Sequence, residues 1–267
     1  NRVWPDLKYF HLDKLKLFLD FIKNSDNCLL AVRDDGTKEC LSILINKELD
    51  YIHKISDAGM FVQPSSSATR QYIKKGKHNI IISFNDEDRA SRFRGNSRQK
   101  ILNNFAILIN QLCLKYDANI ILVPHYFDDY KAIGELTELI EPAIGHRYVT
   151  ASGLAGLNDG KYFYSLYQEA TLAISMRVHS ISPSIGLNLP VIAVSSQDRI
   201  TKFMKNIGLE SLLVDAFAEN LAGTILSKVD DILQNRKNYV KLLKKVSDNE
   251  KLNAENFISK ECQKLLL

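Results

Sequence analysis

Four short runs of uninterrupted apolar residues constrain the fold of this 267-residue chain more than any other feature. They are HNIIISF (78–84), NIILVPH (119–125), TLAISM (171–176) and LPVIAVS (189–195). Strands that are apolar on both faces are typical of parallel sheets covered by helices. Each run alternates with a helical pattern, such as RQKILNNFAILINQLCLKY (98–116), which favours βαβ units. The sequence therefore predicts an α/β fold with a parallel sheet flanked by helices.

The N-terminal quarter is shorter and less regular. An amphipathic helix is predicted over 7–24, a strand at CLLAVRDD, a helix at TKECLSILINKEL and another strand beginning at GMFVQ. A polar stretch at 66–78 then marks a lobe boundary. We predict a short or truncated first lobe over 1–75 and a second lobe over 76–267 that ends in a helical C-terminal extension.

Composition excludes several classes of function. The 35 basic and 31 acidic residues are well mixed, which argues against a nucleic-acid-binding surface but suits a small anionic substrate. The four cysteines are scattered, so reduced thiols are expected rather than disulfides or a metal site. Neither a signal peptide nor an apolar run of membrane-spanning length is visible, and we expect a cytoplasmic protein without a transmembrane segment.

Ionisable residues follow several of the predicted strands. Ligands of parallel sheets bind outside the carboxyl ends of the strands, so these residues are candidates for a site. They are Arg33, Asp86, Glu87, His125, Arg177, His179 and Arg199. No GxGxxG, P-loop or HExxH pattern is present, and neither a dinucleotide cofactor nor a metal is predicted.

Each candidate also has a structural interpretation. Arg177 and His179 could satisfy neighbouring groups, or they could face an anion at a helix start that Ser180 or Ser182 caps. His125 could belong to the site or to the scaffold, while Asp128 and Asp129 are expected to cap the next helix. The carboxylates of ISFNDEDR could form local ion pairs, or one of them could act as a general acid.

Several of these segments together resemble the polysaccharide pyruvyl transferase family. They are AVRDD, ISFNDEDR, ILVPHYFDDYKAI and YSLYQEATLAISMRVHSISPSIGLNLPVIAVSSQDRITKF. The resemblance implies a two-lobed, GT-B-like fold. It also implies transfer of the pyruvyl group of phosphoenolpyruvate onto a saccharide acceptor, as a ketal, in exopolysaccharide biosynthesis. No cofactor is implied beyond the donor substrate.

The resemblance also implies roles for individual residues. Arg177 and His179 match the RxH of the family signature, and Gly186 and Pro190 match the glycine and proline that follow it. Arg199 stands where the family usually has lysine. Arg33 matches an arginine of the first lobe, and Asp86 or Glu87 matches an acidic residue of the second lobe. His179, Glu87 and Asp86 are thereby candidate catalytic residues, and Arg33, Arg177, Arg199 and His125 are candidate substrate ligands.

The chemistry of phosphoenolpyruvate fits these residue types. Its carboxylate and phosphate both suit arginine forks, and its enol carbon must receive a proton from a carboxylic acid or an imidazolium. Two alternatives stay open: a GT-B glycosyltransferase that uses a nucleotide-activated sugar, and a non-catalytic relative that binds glycans or anions. A lipid-linked acceptor would bring the protein into peripheral contact with the inner face of the membrane.

Overall fold

The computed structural model describes residues 11–65, 71–86, 97–153 and 160–263. Contacts between Cα atoms group the chain into two compact units. One unit takes its described residues from 1–57 and 248–267, and the other is 58–247. This grouping differs from the predicted division after residue 75, because the C-terminal residues join the first unit and the 3₁₀ helix at Ala58–Phe61 packs in the second.

The first unit contains helix α1 (Leu12–Lys23), strand β1 (Ala31–Arg33), helix α2 (Thr37–Ile45) and strand β2 (His53–Ile55). β1 and β2 form a two-stranded parallel sheet. The predicted first helix is confirmed over its described part, whereas residues 7–10 lie outside the described residues. The strand expected at GMFVQ is wrong, since Ala58–Phe61 forms the 3₁₀ helix, and β2 was not predicted because three residues carry almost no pattern.

The second unit is built on a sheet of six parallel strands among the described residues. The strands are β3 (Asn79–Ser83), β4 (Asn119–Leu122), β5 (Val149–Ala151), β6 (Leu172–Ser175), β7 (Val191–Ser195) and β8 (Leu213–Asp215). Their spatial order is β5-β4-β3-β6-β7-β8. The chain thus runs outward from β3 to β5, returns to the other side of β3, and runs outward again to β8. This order places a topological switch point between β3 and β6.

Helices connect these strands and cover the sheet. They are α3 (Ser97–Tyr116), α4 (Phe127–Leu139), α5 (Pro142–Tyr148), α6 (Gly160–Glu169), α7 (Val178–Gly186), α8 (Asp198–Asn206), α9 (Leu221–Gln234) and α10 (Arg236–Phe257). A 3₁₀ turn (Glu210–Leu212) precedes β8, and a π-helical turn (Ile258–Cys262) follows α10. The strand predicted at HRYVTA is only half right, because Pro142 at the first helical position starts a helix that takes its first three residues.

The four apolar runs explain why the sheet lies at the centre of this unit. Every residue of β3, β4, β6 and β7 is buried, so both faces of these strands pack against other elements. This burial matches the expectation for strands without polar alternation. The predicted fold class is confirmed: parallel sheets are flanked by helices, and the C-terminal region is helical.

Gly186 permits the close approach of α7 to the 3₁₀ helix at Ala58–Phe61. A Cβ atom at this position would lie 2.2 Å from the main-chain oxygen of Met60, so α7 would have to move. We expect Gly186→Ala to lower the free energy of unfolding by about 1–3 kcal/mol, as overpacking does, in a urea titration. Gly134→Ala in α4 is the control, because no atom lies within 4 Å of its added Cβ. It should raise stability by about 0.5–1 kcal/mol. Equal effects of the two variants would contradict this interpretation.

Candidate active site

The candidate site lies at the carboxyl ends of the strands around the switch point. β3, β6 and β7 each end in serine, at Ser83, Ser175 and Ser195, and all three are buried. Ser83 and Ser175 are register partners across β3 and β6. Oγ of Ser175 accepts a hydrogen bond from the backbone N–H of Arg177 (2.9 Å), and Ser195 Oγ donates to the carbonyl of Gln197 (2.6 Å). These hydroxyls fix the turns through which the chain leaves the sheet.

Asp129 connects three of the strand-end loops. Its Oδ2 accepts hydrogen bonds from the backbone N–H groups of His125 (2.9 Å) and Tyr126 (3.0 Å), in the loop after β4. Its Oδ1 accepts from the backbone N–H of Asp86 after β3 (3.4 Å) and from the guanidinium of Arg177 after β6. The residue is fully buried. Asp129 therefore caps α4, as expected, and also connects the loop after β4 with the loops after β3 and β6.

Arg177 is the N-cap residue of α7 and is only 5% exposed. Its guanidinium forms a buried ion pair with Asp129, and its Cζ lies 4.7 Å from the ring centroid of Tyr126. This arrangement orients a permanent cation at the switch point. A guanidinium carries five N–H donors, so an arginine can bind a carboxylate partner and an anionic ligand at once.

His125 follows β4 and is partly buried as a residue. Its Nδ1 is 3.1 Å from Ser83 Oγ, its Nε2 is buried, and its ring packs edge-on against Phe163 at 5.4 Å. Burial lowers the pKa of His125 to about 3, and the positive charges of Arg177 and His179 contribute to the decrease. The imidazole is therefore neutral at physiological pH and can serve as a hydrogen-bonding group but not as a cation.

The low pKa of His125 makes stability depend on pH. The folded-state pKa lies below the usual value near 6.5, so the stabilisation is present above pH 6.5 and is lost as the pH falls toward 3. We expect the wild type to lose about 2–3 kcal/mol more than His125→Asn between pH 6.5 and 4.5, in urea titrations. Asparagine keeps a polar atom near Ser83 but does not titrate. His146→Asn, at an exposed histidine, should show the wild-type pH dependence. Parallel curves for His125→Asn and the wild type would contradict a buried neutral imidazole.

His179 is exposed and lies in the first turn of α7, one residue after the start of the helix. Its carbonyl accepts a hydrogen bond from Tyr164 Oη (2.9 Å). The prediction that Ser180 or Ser182 caps this helix is wrong, because the helix begins at Val178 and both serines lie inside it, buried. An earlier helix start brings His179 to the positive end of the helix dipole, where an anion would bind.

Asp86 follows β3 and is buried against Arg98. Nε of Arg98 donates to its Oδ1 (2.6 Å) and Nη2 to its Oδ2 (3.0 Å), while Nη1 donates to Glu135 (2.5 Å). Both carboxylate oxygens of Asp86 thus accept hydrogen bonds from one guanidinium. This geometry favours a positioning function for Asp86 over the predicted general acid. Glu87, the second acidic candidate, lies outside the described residues.

The two remaining arginine candidates belong to different units. Arg199 is partly buried in the first turn of α8, after β7, at the same edge of the sheet as Arg177. Arg33 ends β1 of the first unit and forms ion pairs with Asp57 (2.7 Å) and Asp35 (3.2 Å). The convergence of Arg33, Arg177 and Arg199 on one anionic ligand stays a prediction.

Across the described ranges, no group of three or more His, Cys, Asp or Glu side chains could hold a metal ion. None of the helices in the same residues combines the length and apolar composition that crossing a bilayer requires.

The sequence and fold were compared with known proteins. A sequence model of polysaccharide pyruvyl transferases matches residues 10–198, more than two thirds of the chain. The chain belongs to the polysaccharide pyruvyl transferase family. The match includes Arg33, Asp86, His125, Arg177 and His179, whereas Arg199 falls one residue beyond it. Among curated proteins, no sequence matches.

Solved structures with a similar fold are glycosyltransferase-like. A glycosyltransferase from Rickettsia africae aligns over 93% of this chain with a TM-score of 0.55 and 11% identity. Sucrose-phosphate synthase from Thermosynechococcus elongatus aligns over 94% (TM-score 0.56, 16% identity), and HepE from Anabaena, in complex with UDP and glucose, over 91% (0.53, 12%). The chain spans 68%, 59% and 63% of these three structures, respectively. The likeness confirms the GT-B-type fold class of this pyruvyl transferase family member.

The sequence interpretation missed the connecting function of Asp129 and the serines that end the strands. A signal for the serines was present, because a serine directly follows the apolar residues of three strands: IIIS, LAIS and VIAVS. The sequence could not reveal the connecting function of Asp129, because two of its four donors, the backbone N–H of Asp86 and the guanidinium of Arg177, are distant in the chain.

Proposed function

We propose that this protein transfers the pyruvyl group of phosphoenolpyruvate onto sugar hydroxyls, as a ketal, during synthesis of a cell-surface polysaccharide. The observation that carries the proposal is the position of the RxH pair of the matched family. Arg177 is locked into place at the switch point, while His179 is exposed two residues later at a helix start. One group is thus held as a fixed cation and the other is accessible to a substrate.

The steps follow from the chemistry of the donor. A proton is added to the CH₂ carbon of the enol, which leaves positive charge at the adjacent carbon bearing the phosphate. A sugar hydroxyl attacks that carbon and loses its proton. The oxygen of a second hydroxyl then bonds to the same carbon, the C–O bond to phosphate breaks, and the proton of that hydroxyl leaves with the phosphate, so that the ketal ring closes. Each step changes charge on groups that suitably placed cations can stabilise.

Residues of the site can be assigned to these needs. In the proposal, Arg177 binds the carboxylate or phosphate of the donor, with Arg199 from the neighbouring strand end as a second cation. His179 donates to the phosphate and takes part in proton transfer as the phosphate leaves, since imidazole titrates near neutral pH. Neutral His125 would accept or donate a hydrogen bond. A cytoplasmic location and a lipid-linked acceptor at the inner face of the membrane belong to the same proposal.

The competing function is glycosyl transfer from a nucleotide-activated sugar. It is favoured by one observation, the fold shared with HepE, whose structure contains UDP and glucose. Both functions place an anionic donor at this edge of the sheet. They differ in the donor. Phosphoenolpyruvate is small and carries two anionic groups, a carboxylate and a phosphate, whereas the glycosyl donor carries a nucleotide.

Donor binding separates the functions. We expect phosphoenolpyruvate at 100 times its dissociation constant to stabilise the protein by about 2.7 kcal/mol in thermal unfolding, whereas UDP-glucose and UDP leave it unchanged. Inorganic phosphate and pyruvate serve as controls for binding of fragments. Stabilisation by UDP or UDP-glucose, without an effect of phosphoenolpyruvate, would overturn pyruvyl transfer in favour of glycosyl transfer.

A further inference from the structure

The first turn of α4 carries exposed aromatic side chains at the ligand edge of the sheet. Tyr126 and Phe127 follow His125 directly, and they are 47% and 72% exposed, respectively. Scattered exposed apolar residues are ordinary in proteins. Two consecutive exposed aromatic residues beside a buried arginine, at the carboxyl ends of strands, are less common. Exposed apolar patches of this kind mark binding surfaces.

Both rings are held in place although they are exposed. Tyr126 stacks on the guanidinium of Arg177 at 4.7 Å, and its backbone N–H is bound by Asp129. The ring of Phe127 meets that of Tyr130 edge-on, with centroids 6.4 Å apart, and Tyr130 Oη donates to the carbonyl of Ser152 (3.4 Å). Rings ordered before binding lose little entropy when a ligand arrives.

The chemistry of an aromatic surface selects its occupant. The face of an aromatic ring carries partial negative charge, and it attracts the slightly positive C–H groups that cover one face of a pyranose. The matched family takes its name from polysaccharide acceptors. We propose that Tyr126 and Phe127 form a platform on which a sugar ring of the acceptor stacks, beside the donor site at Arg177. This inference rests on the proposed function for the identity of the acceptor.

The platform explains an arrangement that the donor site alone does not need. Phosphoenolpyruvate is small and anionic, so it has no use for an exposed phenylalanine. The acceptor must present a hydroxyl next to the donor. Because the ring of Tyr126 contacts the guanidinium of Arg177, a sugar stacked on this surface would lie within reach of the donor. Phe127 thereby becomes a residue that determines acceptor affinity without taking part in donor binding.

The test measures saccharide binding without the donor. Saturation-transfer NMR is recorded on a mixture of the methyl glycopyranosides of glucose, galactose, mannose and N-acetylglucosamine. We expect the wild-type protein to transfer saturation to the C–H protons of at least one of these glycosides. Phe127→Ala should weaken that binding by about 3–10-fold, the range of an aromatic contact. Phe127→Trp should retain it, and Leu114→Ala, at an equally exposed apolar residue of α3, should not change it.

Other results would overturn the platform. One is equal saccharide binding by the wild type and Phe127→Ala, and another is binding of none of the glycosides by the wild type. Light scattering tests the alternative occupant, a second copy of the chain. If Phe127→Ala dissociates a dimer without changing saccharide binding, the surface serves self-association. Thermal unfolding with phosphoenolpyruvate runs in parallel on each variant. If the wild type fails to bind the donor but the glycoside signal depends on Phe127, the proposed function fails and the platform stands.

Discussion

Replacing His179 with alanine is expected to lower the rate of pyruvyl transfer by about 10²–10⁴-fold, the usual worth of a general acid–base group. The stability of the protein should not change, because His179 is exposed. Tyr164 donates its hydrogen bond to the backbone carbonyl of His179, which alanine retains. Loss of a buried hydrogen bond would instead cost about 1–3 kcal/mol of stability. Transfer of pyruvate to a saccharide and thermal unfolding, measured on the same sample, distinguish the two.

Two variants make this measurement specific. His146→Ala removes an exposed histidine from α5 in the same unit and should leave both the rate and the stability at wild-type values. Arg177→Lys keeps the charge but loses the planar fork, and it should weaken donor binding. A His179→Ala protein that unfolds at a lower temperature yet transfers pyruvate at nearly the wild-type rate would refute the catalytic assignment.

Asp129→Ala is expected to lower the free energy of unfolding by about 3–5 kcal/mol, the largest effect on stability that we expect. The change leaves the guanidinium of Arg177 buried without its carboxylate, and removing one partner of a buried ion pair carries this cost. Three backbone N–H groups lose their acceptor at the same time. Asp128→Ala is the matched control: this neighbouring aspartate is exposed and pairs only weakly with Lys131, at 3.1 Å. Its removal should cost less than about 1 kcal/mol.

A double-mutant cycle separates the ion pair from the backbone contacts. Adding Arg177→Met to Asp129→Ala removes the unpaired charge, so part of the lost stability should return. The part that does not return measures the hydrogen bonds of the backbone N–H groups of Asp86, His125 and Tyr126. Strictly additive effects of the two substitutions would show that Arg177 and Asp129 are not energetically coupled, contrary to the geometry.

The sheet could be predicted from the sequence because its signal is local. A run such as IIIS or VIAV cannot be satisfied at a surface, and its alternation with helical patterns determines a parallel arrangement. Short elements without an apolar run were harder to predict, because they have no period to detect: β2 was missed and Ala58–Phe61 was taken for a strand. The N-cap of α7 was predicted at Ser180 or Ser182, three or five residues after Arg177, because serine is preferred as a helix cap.

The candidate site could be predicted in its residue types but not in its contacts. A charged group that follows a buried strand stands out in any sequence, and Arg177, His125 and Asp86 were found in this way. Whether such a group meets a ligand or a partner depends on strand order, which brings Asp86 and Arg177 to one carboxylate across 43 and 48 residues of chain. Asp86 illustrates the limit, since Arg98 reaches it from the next helix.

The contacts of Asp129 have a consequence for how this site can diversify. Three of its four donors are main-chain amides, which every residue except proline possesses. The hydrogen bonds to Asp129 therefore place no restriction on which side chains stand at positions 86, 125 and 126. Only the arginine partner is restricted by its own chemistry. The geometry of these loops thus depends on Asp129 and Arg177 more than on the side chains that the loops present. New acceptor preferences could therefore arise by substitution in the loops, without a change in the edge of the sheet.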